Sequence, residues 1–199
     1  MKRSAPPQAR NLALIGGRGC GKSSVARRIL GKEKRFTLWS LDALIRYEAD
    51  GLPIPEIVAT QGWSKFREIE KNVVKQVTKL TEWQLIDCGG GVVVDLDEAG
   101  EEVFSTEKVE ALRRDSVVIY LQRDFGFLEE KIRGDSNRPA LSADNSFLEI
   151  MERRDPWYRQ AAHAVVDARN LRKHQIAGAV LKQYYDSTGI LPPGQRAGN

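Results

Sequence analysis

The sequence predicts an α/β fold: three layers, with a five-stranded parallel sheet at the centre and helices on both faces. Three observations point to it. Short apolar runs alternate with segments of helical periodicity across residues 11–186, the signature of strand–helix–strand units. The runs are rich in β-branched and aromatic residues, as buried strands are. The first run feeds directly into a glycine-rich turn that opens a helix.

Asn11–Ile15 reads as a buried strand and Lys22–Leu30 as the helix after the turn. Phe36–Trp39 is a second strand, and a helix follows from Asp42. Phe66–Leu80 is strongly periodic, with Phe66, Ile69, Val73, Val77 and Leu80 on one stripe. Trp83–Asp87 is a third strand that ends at Gly89-Gly90-Gly91, and Val103–Arg113 is helical. Ser116–Leu121 is the fourth strand, followed by helices over Phe125–Arg133 and Phe147–Tyr158. Ala164–Asp167 is the fifth strand and Gln175–Tyr185 the closing helix. One domain spans 11–186, and the Pro-, Gly- and polar-rich ends, 1–10 and 187–199, are expected to be flexible.

Composition excludes several classes. With 41% hydrophobic and 29% charged residues in 199, the chain is globular. No apolar run is long enough to span a bilayer, and the basic start has no apolar segment behind it to make a secretory signal. Two cysteines cannot staple a fold and suit a reducing cytoplasm. Lys and Arg number 31 against 27 Asp and Glu, interspersed and without a basic stripe. That pattern favours small anionic ligands over nucleic acid.

In an open parallel sheet the chemistry gathers beyond the carboxyl ends of the strands. Gly16-Gly17-Arg18-Gly19-Cys20-Gly21-Lys22-Ser23 matches G-x-x-x-x-G-K-[ST] in full. Glycines let the backbone wrap and aim N–H groups inward, and the following helix points its positive dipole end at the same spot. Gly17, Gly19, Cys20, Gly21, Lys22, Ser23 and Ser24 are therefore candidates to bind a nucleoside triphosphate, with Ser23 reaching Mg²⁺. The Cys20 side chain is read as a small group pointing away from the ligand.

Further along, Arg154 falls within an apolar helical stripe with Phe147, Ile150, Met151 and Tyr158. A buried guanidinium needs an anionic partner. That partner is either an internal carboxylate such as Asp155 or Glu152, or a ligand. Arg67 and Glu70, three apart on a helix, can pair; Asp42 can cap the helix after the second strand; and Gly134–Leu141 with Arg138 reads as a mobile loop. His163 and His174 lack the company of a metal site and are read as solvated or capping, and Trp63 could line a substrate pocket.

Taken together, these motifs resemble the shikimate kinase family, relatives of the nucleoside monophosphate kinases, from about Asn11 to Asp167. The likeness is carried by the glycine-rich loop, Asp42, Gly62 followed by Phe66-Arg67-x-x-Glu70, Gly89-Gly90-Gly91, Asn137-Arg138-Pro139-x-Leu141 and Arg154-x-Pro156-x-Tyr158. The resemblance implies a P-loop kinase fold with a substrate-binding helical region at about 42–70 and a lid at about 133–143. It also implies ATP with Mg²⁺ and shikimate as ligands, and catalysis by Lys22, Asp42 and Arg138. Asp42, Arg67, Glu70, Gly89, Gly90, Gly91 and Arg154 would bind the substrate, with Arg67 and Arg154 clamping its carboxylate. No nucleic acid or membrane partner is implied, and a monomer is expected. Kinases of gluconate or aminoshikimate, and a non-catalytic nucleotide-binding homologue, are the alternatives.

The match breaks at one place. The family usually carries Asp-x-Asp after the second strand, where this chain has Ser40-Leu41-Asp42. One charge is lost beside a cation that prefers oxygen anions. Asp87, at the end of the third strand, stands where the family usually has an uncharged residue. The pairing of that loss and gain suggests a metal carboxylate relocated to Asp87; the alternative is that Asp87 serves only the glycine turn or Lys22.

Overall fold

The computed structural model describes residues 9–80, 82–133 and 145–195. Five strands, β1 (Asn11–Ile15), β2 (Thr37–Ser40), β3 (Gln84–Asp87), β6 (Ser116–Gln122) and β7 (Ala164–Asp167), form a parallel sheet in the order β2-β3-β1-β6-β7. A two-stranded antiparallel hairpin, β4 (Val94–Leu96) and β5 (Glu102–Phe104), stands apart from it. The helices are α1 (Lys22–Lys32), α2 (Leu41–Glu48), α3 (Ile54–Val77), α4 (Thr106–Asp115), α5 (Phe125–Ile132), α6 (Phe147–Ala161) and α7 (Lys173–Thr188).

The central strand shows why the sheet is covered on both sides. Alternate residues of a strand point to opposite faces. Leu12 and Leu14 enter one apolar cluster with Val25 and Ile29 of α1, Leu128 of α5 and Ile176 and Val180 of α7. Ala13 and Ile15 enter the other with Ile45 of α2, Val73 and Val77 of α3, Leu112 of α4 and Tyr158 of α6. The expected fold class holds, and each expected strand and helix is present to within a few residues except in three places.

The first is the segment with helical periodicity from Val103. Residues 102–104 are instead strand β5, and α4 begins only at Thr106. The turn at 97–101 makes the hairpin possible. The Asp97 carboxylate accepts from the N–H groups of Ala99 and Glu101, both at 2.9 Å, and Gly100 takes φ +82°. Two valine-containing segments, Val92-Val93-Val94 and Val103, flank that turn. The second is α3, which starts twelve residues before the expected Phe66, at Ile54, and bends at Gly62, where φ is 80° and ψ 169°. Leu80 lies beyond its end and is exposed. The third is the termini: Ala9 is buried, α7 runs to Thr188, and Ile190 packs against the core. The packed chain thus passes both expected boundaries.

No helix among the described residues is long and apolar enough to cross a membrane. His163 is half-buried, and its Nδ1 accepts from the N–H of Val118 at 2.9 Å. Burial foremost, with Arg113 nearby, pushes its pKa down to about 4, so it is neutral at pH 7 and neither solvated nor a cap.

Candidate active site

The carboxyl ends of β1, β2 and β3 meet at one edge of the sheet, and three segments leave it side by side. The loop at residues 16–21 follows β1. Gly21 sits at the N-cap of α1 with φ +99°, and α1 has neither a side-chain cap nor an acidic residue in its first turn. Its first N–H groups are thus left for an anion from outside the helix. They open on a cavity of about 130 Å³ whose wall includes Gly19, Gly21, Lys22, Ser23, Ser24 and Lys131. Lys131 of α5 escapes sequence reasoning, because a surface lysine on a short helix carries no local signal. Gly17 is held by packing, since a Cβ there would lie 2.8 Å from Met151 Sδ.

The Lys22 ammonium is buried and donates to the carbonyls of Gly16 at 2.8 Å and Gly17 at 3.3 Å. Burial by itself lowers its pKa, but its electrostatic surroundings, with the carboxylates of Asp87 and Asp42 among them, outweigh that and raise it. Lys22 therefore stays a cation. The Cys20 side chain is buried among the apolar residues behind the loop, 3.6 Å from Lys22 Nζ, and forms no wall of the cavity. Its backbone N–H is spent on Gly17 O at 3.3 Å.

Asp42 follows β2. The cap of α2 is Ser40, whose Oγ accepts from Ala43 N at 3.4 Å, so Asp42 sits in the first turn and is not the cap. It lines the 130 Å³ cavity and also a second, adjoining one of about 480 Å³. Gly90 likewise lines both, so the two cavities meet at Asp42 and Gly90. Asp87 is buried at the end of β3 and does not line either cavity. It is the register partner of Ser40 on the neighbouring strand, and its charge reaches Lys22.

The glycine turn after β3 is shaped by close approach. A Cβ on Gly89 would lie 2.9 Å from Asp42 Oδ1, and one on Gly90 would lie 3.0 Å from Arg18 N. On Gly91 it would lie 2.5 Å from both Nη1 and Nη2 of Arg67. Three bare residues thus let the acidic group, the phosphate loop and a guanidinium crowd one spot. Tyr158, stacked on Tyr120 with centroids 5.0 Å apart, donates its hydroxyl to Gly90 O and pins the turn.

The larger cavity is lined by four arginines, Arg18, Arg46, Arg67 and Arg154, with Trp63 and Phe66; Arg67 and Arg154 are the buried pair. Arg67 Nη1 donates to Glu70 Oε2 at 2.8 Å and to Gly91 O at 3.1 Å, and its guanidinium lies 5.3 Å from the centroid of Trp63. Its buried Nε has no hydrogen-bond partner among the described residues. A buried donor left so costs about 1–3 kcal/mol, which favours an acceptor in the cavity. Glu70 is buried as well and accepts from Lys108 Nζ at 2.7 Å. Burial raises its pKa, but Lys108 and Arg67 outweigh that and hold it below the ordinary carboxylate value. Burial lowers that of Lys108.

Arg154, on the inner face of α6, is 1% exposed. Its partner is neither Asp155, which accepts from Tyr120 and Arg159, nor Glu152, but Glu102 of β5. Glu102 accepts from Nε at 3.0 Å and from Nη2, and also from Arg153 Nη2 at 3.0 Å. Sequence reasoning misses both Glu102 and Lys108. Only Lys108 leaves a trace, as a lysine on the apolar stripe with Val109 and Leu112. Arg138 and the expected lid beyond Arg133 lie outside the described residues.

Chemically, one cavity offers backbone N–H groups and a cation to phosphate, the other is rich in guanidinium groups suited to a carboxylate, and a carboxylate stands where they join. Three comparisons relate the chain to known proteins. A family model described as shikimate kinase matches residues 18–185. A shikimate kinase of Leptospira biflexa is 40% identical over 171 residues, covering 86% of this chain and 93% of its own. Among solved structures, a shikimate kinase of Acinetobacter baumannii in complex with shikimate superposes with a TM-score of 0.77 at 24% identity, covering 90% and 95% of the two chains. A gluconokinase of Sinorhizobium meliloti shares the fold more distantly, with a TM-score of 0.53 at 15% identity over 90% and 96%.

Proposed function

This chain belongs to the shikimate kinase family, and from that premise we propose that it transfers the γ-phosphoryl group of ATP to the 3-hydroxyl of shikimate, giving shikimate 3-phosphate and ADP. The observation that carries the reading is the junction of the two cavities at Asp42: one side suits phosphate, the other a small acid. Catalysis is then mostly positioning and charge neutralisation. The loop N–H groups and Lys22 hold the phosphates, and the family resemblance assigns a further phosphate-binding cation to Arg138. Asp42 orients the acceptor hydroxyl and takes its proton as the bond to phosphorus forms. Arg67 and Arg154 grip the carboxylate, and Trp63 covers the ring. The helical region at 42–70 lines the acid side of the site, and the lid expected at 133–143 lies, beyond Arg133, outside the described residues.

Mg²⁺ fits the donors present. Ser23 and Asp42 line the phosphate cavity, so a hydroxyl and a carboxylate face one space, and Asp87, buried outside its wall, adds a negative charge that reaches Lys22. No cluster of three His, Cys, Asp or Glu exists among the described residues. That suits an ion that keeps several waters and phosphate oxygens. The ion would neutralise phosphate charge. Ser23 would hold it directly, and Asp87 would supply the charge that Ser40 lacks, acting from the adjacent strand. Asp87→Asn should then raise the Mg²⁺ concentration needed for half-maximal rate about tenfold; an unchanged titration would refute the relocation.

The protein is proposed to act as a cytoplasmic monomer, where its two buried, unbridged cysteines stay reduced. The decisive experiment is ADP release with shikimate, aminoshikimate, gluconate or no acceptor. Turnover with shikimate well above the others supports the reading. Preference for gluconate, whose kinases share the fold, or no turnover with any acceptor overturns it.

A further inference from the structure

We propose that Glu102 is a positioning residue for the acid-binding end of the site, setting the plane of the Arg154 guanidinium so that its remaining edge meets the substrate carboxylate. The inference rests on the reading of the site as a shikimate site and adds a residue from the hairpin to it.

Three observations support it. Glu102 engages Arg154 through Nε, at 3.0 Å, and Nη2. A guanidinium is a rigid planar fork, so fixing that edge fixes the direction of the other. Second, Glu102 also accepts from Arg153 Nη2 at 3.0 Å. Two guanidinium groups share one carboxylate, which leaves the cluster one positive charge in excess beside the cavity. A second carboxylate balances it.

Third, Glu102 is itself held firmly. It lies opposite Leu96 in the hairpin, whose turn is closed by Asp97 and Gly100. The far end is tied by Ser105, whose N–H donates to Val93 O at 2.9 Å and whose Oγ donates to Asp95 Oδ2 at 2.8 Å. A rival arrangement, in which Glu102 competes with the substrate for Arg154, predicts the opposite sign: its removal would tighten substrate binding.

Steady-state kinetics of the full chain separate the two. Glu102→Gln should raise KM for shikimate about tenfold, the scale on which outer partners of a binding group act, while KM for ATP and kcat stay within about twofold. Combined with Arg154→Ala it should add nothing, since no guanidinium remains to be aimed. Glu102→Asp, which keeps the charge and shortens the reach, should move KM for shikimate in the same direction by less, and serves if the glutamine variant fails to fold. An unchanged or lowered KM for shikimate overturns the inference while leaving the functional reading intact. Wild-type protein that neither binds nor phosphorylates shikimate overturns the functional reading, and the inference with it.

Discussion

Arg67 and Arg154 line the same cavity, yet the acids that hold them differ in kind. Glu70 sits three residues from Arg67 on the same helix, is wholly buried, and is shared with the buried Lys108. Glu102 lies on a hairpin 52 residues from Arg154, is 13% exposed, and is shared with the partly exposed Arg153. The first brace is part of the core. The second stands at the edge, reached by water. Their difference teaches that one function, aiming a guanidinium, can be coupled tightly to stability at one position and loosely at another.

The sharpest break of this comparison is on stability. Glu70→Gln leaves two buried cations against a neutral amide, and losing one member of a buried ionic cluster costs about 3–5 kcal/mol. Glu102→Gln keeps an acceptor near water and should cost about 1–2 kcal/mol. Urea unfolding of the two variants measures both. Equal losses would erase the distinction between a core brace and an edge brace.

The same contrast explains which parts of the site are legible in the amino-acid order alone. The glycine-rich loop is a contiguous motif, and Arg67 with Glu70 is a helical spacing, so local geometry exposes both. Asp42 and the triple glycine are legible because they follow strands whose ends must converge. Glu102 is different: nothing near it in the chain predicts a contact with Arg154, and the strand that delivers it carries a helical pattern. The turn signal is there, Asp97 with Gly100 between valine-containing segments, but Val103, Val109 and Leu112 also fit a helix, and the longer pattern masks the short strand. Lys108 is hidden for a related reason, since lysine on a helix is ordinarily solvated and only tertiary packing buries this one against Glu70.

A smaller effect isolates Arg67 from its brace. Gly91 has an ordinary backbone conformation, so Gly91→Ala imposes no strain of its own. The three atoms nearest the added Cβ all belong to the far end of the Arg67 side chain, with Nη1 and Nη2 at 2.5 Å. The guanidinium must move while Arg154 is left alone. KM for shikimate should rise about tenfold, with stability changed by less than about 1 kcal/mol. Comparable changes in the KM values for shikimate and ATP would show instead that the turn as a whole had shifted.

The smallest expected effect uses pH to part the braces from the scaffold. Glu70 and Glu102 both have pKa values held below that of a free carboxyl; burial opposes the shift, and the neighbouring cations outweigh it. Both therefore stay ionised as pH falls from 7 to 5, and KM for shikimate should change little over that range. His163 behaves oppositely. Its folded pKa, about 4, lies below the ordinary 6.5, so the fold favours the neutral ring. The stability it contributes is complete above pH 6.5 and is lost as pH falls towards 4, because the unfolded chain takes up the proton first. Discounted for partial exposure, the loss is about 1–2 kcal/mol. Melting temperature should thus decline below pH 6.5 while KM holds, and His163→Asn, which keeps an acceptor for Val118 but cannot titrate, should flatten that decline. If KM for shikimate instead climbs in step with the fall in melting temperature, the clamp and the scaffold are one cooperative unit, and the separation drawn between the two braces fails.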